Sequence, residues 1–114
     1  MNLSLRMEAV DKKFESAMWD IYHTAKIKCN YNATIFMNML TKYGGVETAK
    51  RLLSAEKVQY GFTELWLCNC LDLTVEAHVL KPEFKYRFTE EEQKKAKKRL
   101  LDHDPTFFKK IINQ

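Results

Sequence analysis

Residues 61–80 read GFTELWLCNCLDLTVEAHVL, the longest apolar run of the chain. Leu73, Val75, Ala77 and Val79 alternate with Thr74, Glu76 and His78, a period of two that fits a strand. No other segment offers a convincing partner strand, and an isolated hairpin is marginal in water. Two short helices broken near Leu71 are therefore expected. The first runs from Thr63 as N-cap to about Cys70. The second starts from Asp72 as cap and ends before Pro82, since the residue ahead of a proline resists helical backbone. Together they should bury Leu65, Trp66, Leu73, Ala77 and Leu80 and hold the helices around them.

Working outward, apolar residues recur every three or four positions from Leu3 through Met7, Val10, Phe14, Met18 and Ile21 to Ala25 with no Gly or Pro between, the pattern of one long amphipathic helix. Asn32 is placed to cap a second helix over residues 33–43 that turns Ile35, Phe36, Met39 and Leu40 inward, with Tyr31 stapled on Phe36. Gly44-Gly45 stops it, and VETAKRLLS (residues 46–54) starts again with Glu47 in the first turn. Downstream, residues 82–88 (PEFKYRF) form a loop anchored by Phe84, Tyr86 and Phe88. Thr89-x-x-Glu92 is a capping box that opens a helix facing Ala96 and Leu100 inward, and Asp104-Pro105 can begin a last short helix.

The expected fold is all-α: a bundle of five or six helices in a single domain over residues 1–114. Within it, residues 1–30 make the long N-terminal helix, 31–54 an αα-hairpin, 61–81 the central core helices and 89–114 the basic C-terminal helices. The composition agrees, because 114 residues suffice for one core and three Gly with two Pro leave few turn-formers for an all-β chain. No apolar run approaches the ~20 residues that span a bilayer, and with no secretion signal in the sequence a cytoplasmic protein with no membrane partner is expected. Three cysteines are an odd number, so reduced thiols are expected instead of a disulfide framework.

The net charge of +4 is uneven: residues 93–114 hold seven Lys/Arg against two Asp/Glu, and residues 1–92 hold twelve against thirteen. Lys94, Lys97 and Lys98 share a helical face that can track phosphates, and Arg99, Lys109 and Lys110 extend the basic end. The same lysines also suit a solvated face opposite Ala96 and Leu100. Phe107, Phe108, Ile111 and Ile112 make an apolar tail that either closes the core or offers a protein interface for a partner or for self-association. Residues 33–54 could also be a helix-turn-helix with Thr48, Lys50 and Arg51 toward DNA, although a glycine-turned αα-hairpin is the commoner object.

Motifs for other chemistry are missing. The chain has no Cys-x-x-Cys, no His-x-x-x-His and no Gly-rich phosphate loop. Cys68 and Cys70, two apart on a helix, would point about 200° apart. No metal and no cofactor are expected. For acid-base or nucleophilic work Cys29, His23, Asp20 and Glu64, or Glu76 with His78, are available, but no spacing selects them, and no catalytic residue is assigned.

The segments IYHTAK, YGGVETAKRLL, GFTELW, LDLTVEAHVL and PEFKYRFTEEE resemble a family of small bacterial helical proteins of uncharacterised function. Such segments also trail larger polypeptides, some nuclease-like and associated with defence against foreign DNA. The resemblance covers residues 21–101, carries no catalytic signature, and implies a helical accessory module in a nucleic-acid context. The expected function is thus a non-enzymatic binding module that associates with nucleic acid through its basic C-terminal helix, or, as the alternative, a protein-interaction or oligomerisation module using the apolar tail.

Overall fold

The apolar stripe at the N-terminus becomes the 26-residue helix α1 (Leu3–Lys28), which buries Phe14, Met18, Ile21 and Ala25. This computed structural model describes residues 3–58 and 60–112, without the side chains of residues 60, 111 and 112. The other helices are α2 (Thr34–Tyr43), α3 (Gly45–Ser54), α4 (Tyr60–Leu67), α5 (Val75–Val79), α6 (Glu90–His103) and α7 (Phe107–Ile112), with 3₁₀ turns at Leu71–Leu73 and Lys85–Arg87. Among the described residues there is no strand, and the fold is all-α as expected. The radius of gyration, 13.7 Å, is close to the about 13 Å of a single packed unit of this length.

The central stretch is helical for a reason that its alternation hides. All five residues of α5, Val75 to Val79, are buried. A helix covered on every side has no polar face to create a 3.6-residue rhythm. Its polar members are satisfied by partners instead: Glu76 by Arg99, and His78 by the Thr74 carbonyl. The caps differ from those expected. The hydroxyl of Thr74, not the side chain of Asp72, accepts the Ala77 amide at 3.2 Å, and α4 begins ahead of Thr63. Leu65 and Ala77 are buried, while Leu73 and Leu80 are half-buried and Trp66 is 42% exposed.

Two expectations for α2 also change. Asn32 does not cap it, because its side-chain oxygen accepts from the Tyr22 hydroxyl at 3.2 Å, and Ala33 stands at the N-cap. Leu40 is buried and Phe36 and Met39 are half-buried, which turns Ile35 away from the core to 80% exposure. The capping box of α6 is present in both halves: Thr89 N–H donates to Glu92 at 2.8 Å, and Glu92 N–H donates to the Thr89 hydroxyl at 3.1 Å. In the loop before it, Phe84 and Phe88 pack on Phe14 with ring centres 5.1 and 5.3 Å apart, while Tyr86 points outward.

The buried apolar residues form two clusters. One, around Phe14, Met18, Leu40, Leu53, Val79 and Phe88, joins α1, α2, α3 and α5 to the 82–88 loop. The other joins Phe62, Leu71, Ala77, Leu100 and Phe107. Leu80 touches both.

Gly44 and Gly45 fulfil separate requirements between α2 and α3. Gly44 takes φ = 79°, a left-handed turn that closes α2 with its amide on the Leu40 carbonyl. Gly45 begins α3 one residue earlier than expected and donates its amide to the Glu15 carboxylate, whose other oxygen accepts the Trp19 indole N–H at 2.8 Å. Glu15 thereby supplies the negative charge that a helix N-terminus favours. A Cβ at residue 45 would lie 2.9 Å from the Glu15 Cα, so the backbones of α1 and α3 approach as only glycine allows. Gly45→Ala is therefore expected to lower stability by about 1–3 kcal/mol in denaturant unfolding, and an unchanged midpoint would show that this close approach is relaxed in solution.

Candidate functional site

The helix α6 sorts its basic residues by face. Lys94, Lys97 and Lys98 are exposed and Lys95 is half-buried. Among the described residues Lys94 and Lys97 have no ion-pair partner, whereas Lys98 pairs with Asp102 one turn on at 2.8 Å. That pair is open to water on both sides and weak enough to exchange for another anion. In α7, Lys109 is exposed and Lys110 pairs with Asp104 at 2.9 Å.

Arg99 leaves this surface altogether. It is 6% exposed, and its guanidinium donates to Glu76 at 2.9 Å, to the Leu52 carbonyl at 3.1 Å and to the Ala55 carbonyl at 2.6 Å. The reason is angular: Arg99 stands one residue before Leu100 and three after Ala96, inside the buried sector of the helix. Its expected phosphate contact is replaced by a structural one. Burial pushes the Glu76 carboxyl up from the ordinary carboxylate range, and the hydrogen bond and charge of Arg99 oppose that shift.

The apolar tail is also partly accounted for. Phe107 is 5% exposed and packs with Leu100, with Phe108 half-buried beside it, so these two close the second cluster instead of standing free as an interface. The side chains of Ile111 and Ile112 lie outside the described residues. The helix-turn-helix candidates are dispersed: Thr48 is fully buried, Lys50 pairs with Glu92 at 2.8 Å, and Arg51 pairs with Glu47 and lies over the Tyr43 ring.

A cavity of about 160 Å³ opens among Ile21, Phe36, Met39, Phe62 and Leu65, with Tyr31, Thr74 and Glu76 as polar lining. Thr74 and Glu76 are engaged in the fold, Thr74 as the cap of α5 and Glu76 with Arg99. Glu76 and His78 do not form a pair. The His78 ring donates from Nδ1 to the Thr74 carbonyl at 2.9 Å, and burial holds its pKa below the ordinary value.

The cysteines differ most from expectation. Cys29 and Cys68 are joined in a disulfide, and the sulfur atoms of Cys29, Cys68 and Cys70 all lie within 4.8 Å of one another. The 200° separation of Cys68 and Cys70 required a helix through both, but α4 ends at Leu67. Asn69 then takes φ = 62°, the Cys70 amide reaches the Leu65 carbonyl at 2.7 Å, and the Asn69 amide reaches Trp66 at 3.0 Å. Those two bonds are the Schellman closure, which folds the residue after the turn back over the helix end. The end of α1 shares the left-handed residue, with Cys29 followed by Asn30 at φ = 50°, but its closing bond runs from the Tyr31 amide to the Ala25 carbonyl at 3.2 Å. A usable signal was present in the sequence: the dipeptide Cys-Asn occurs at both positions, and Asn tolerates the left-handed C′ conformation.

Comparison with protein-family models, curated proteins and solved structures finds no match to this chain. No helix among the described residues is long and apolar enough to cross a membrane.

Two outcomes follow from the buried polar groups. Arg99→Met strands the Glu76 carboxylate and should cost about 3–5 kcal/mol in urea unfolding. Adding Glu76→Met should recover part of that and not all, since the Leu52 and Ala55 carbonyls still lack their donor; strictly additive losses would disprove the coupling. For His78, a pKa lowered in the folded state means that the unfolded chain takes up the proton first as the solution is acidified. Its contribution to stability is present above the ordinary histidine value and is lost as pH falls through the lowered one. Unfolding midpoints should therefore fall more between pH 7 and pH 5 for the parent than for His78→Asn, which keeps a side-chain donor without the titration.

Proposed function

We propose that the protein is a non-enzymatic binding module that associates with nucleic acid through the outer face of α6, reading backbone phosphates without sequence preference. The carrying observation is that Lys94 and Lys97 are exposed without an acidic partner among the described residues, with Lys98 one turn from Lys94 and held only by a solvent-open pair. A rigid helix presenting lysines on one face at successive turns suits a regular line of phosphates. Lys109 and Lys110 on α7 extend the same basic end, and Arg99 takes no part. The non-enzymatic reading is supported by the engagement of Thr74 and Glu76, two of the polar side chains that line the cavity, in capping and ion pairing. Against an interface built on the tail stands the burial of Phe107. The resemblance to segments trailing nuclease-like polypeptides fits a role in bacterial defence.

Duplex DNA and RNA titrated at low and moderate salt test this. Replacing Lys94, Lys97 and Lys98 by Glu should weaken binding uniformly across sequences. It should also flatten the slope of log affinity against log salt by nearly 1 per lysine, about 3 in all. Absence of binding by the parent at low salt, or an unchanged slope in the variant, would end the proposal.

A further inference from the structure

We propose that Cys29, Cys68 and Cys70 form a redox-gated three-thiolate site for a thiophilic d¹⁰ cation, Zn²⁺ or Cu⁺, independent of the basic face of α6. Three sulfurs held about 2.3 Å from one ion stand about 4 Å from each other. The three here all lie within 4.8 Å, are half-buried, and come from two separate helix ends. Local backbone geometry enforces the gathering: the left-handed Asn30 and Asn69 turn the chain directly after Cys29 and Cys68, and the bond from Cys70 N–H to the Leu65 carbonyl brings the third sulfur back to the first two.

The cluster sits at the C-terminal ends of α1 and α4, the negative ends of both helix dipoles. Soft thiolate donors select Zn²⁺ or Cu⁺ over Mg²⁺ or Ca²⁺, which prefer oxygen. Three protein ligands also leave one position on a tetrahedral ion for water or an external ligand.

The Cys29–Cys68 disulfide is the closed form of this site. Opening it takes two electrons and two protons. A dithiol gives both and becomes a disulfide, whereas a phosphine gives the electrons and becomes its oxide while water supplies the oxygen and the two protons. Either leaves two thiols beside the free Cys70. The three thiols lose their protons as the ion binds. In the reverse direction a small-molecule disulfide accepts two electrons from the Cys29 and Cys68 thiolates. Its own S–S bond breaks to two thiolates, the Cys29–Cys68 bond forms, and the cation leaves because Cys70 alone cannot hold it.

The test titrates Cd²⁺ and Zn²⁺ into full-length chain that has been reduced with a phosphine, desalted and kept free of oxygen. Cd²⁺ is followed by its thiolate charge-transfer absorption, and Zn²⁺ by competition with a coloured chelator. One ion per chain is expected. Cys70→Ser should weaken binding on the order of tenfold or more while circular dichroism reports its helices intact. The disulfide form of the parent should bind no ion, and oxidised glutathione should release the ion from the loaded form. Equal affinity of parent and Cys70→Ser, or of the reduced and disulfide forms, would overturn the site. The second comparison needs no variant, so it decides the question even if Cys70→Ser does not fold.

Discussion

The buried guanidinium of Arg99 is the interaction on which the arrangement of α3, α5 and α6 depends. One side chain from α6 bonds Glu76 of α5 and two carbonyls at the end of α3, those of Leu52 and Ala55. Removing a charge from water costs several kcal/mol, and that cost is offset only when every donor finds a partner. The geometry of the three elements is correspondingly constrained: α5 must bring its second residue to α6, and α3 must end where its last carbonyls face inward. A wholly apolar contact would tolerate sliding; a forked cation with assigned acceptors does not.

The same economy of polar contacts governs the other junctions. Glu15 of α1 receives the first amide of α3 and the Trp19 indole, and the bare backbone of Gly45 is what lets the two helices meet there. Arg87 grips Asp11 with two hydrogen bonds, 2.7 and 2.9 Å, fixing the 82–88 loop to α1 while Phe84 and Phe88 pack on Phe14. The outer face of α6 is left with Lys94 and Lys97, which pair with no acid among the described residues, and with Lys98, held only by the solvent-open Asp102. The cysteine cluster, at the far ends of α1 and α4, is built by chain turns and owes nothing to those lysines.

Legibility varied with the range of the interaction. The long stripe of α1 and the capping box at Thr89 and Glu92 were readable because each is complete within a few residues of sequence. The helical nature of α5 was inferred from the lack of partner strands, and its own pattern argued the other way, since burial on all sides erases amphipathic rhythm. Two caps differ from expectation for different reasons: across elements, Tyr22 engages the Asn32 side chain, while locally Thr74 outperforms Asp72 by accepting from Ala77 N–H and donating to the Leu71 carbonyl. Arg99 looked like its lysine neighbours in a run of basic residues, and no local feature marked it as the one facing inward apart from its angle to Ala96 and Leu100.

The sequence by itself determined the all-α class, the long first helix, the glycine break before α3, the capped sixth helix and the concentration of positive charge near the C-terminus. These rest on periodicity, on the conformational limits of Gly and Pro, and on hydrogen bonds between near neighbours. Only the tertiary structure decided that Arg99 is a buried tie, that Phe107 closes the core, and that three cysteines separated by up to 41 residues share one point in space. Each of those depends on where helix ends are brought by packing, and a one-residue difference in where a helix stops rotates the next side chain by about 100°. For Cys68 and Cys70, a helix that stops at Leu67 and a left-handed Asn69 turn divergent side chains into adjacent ones.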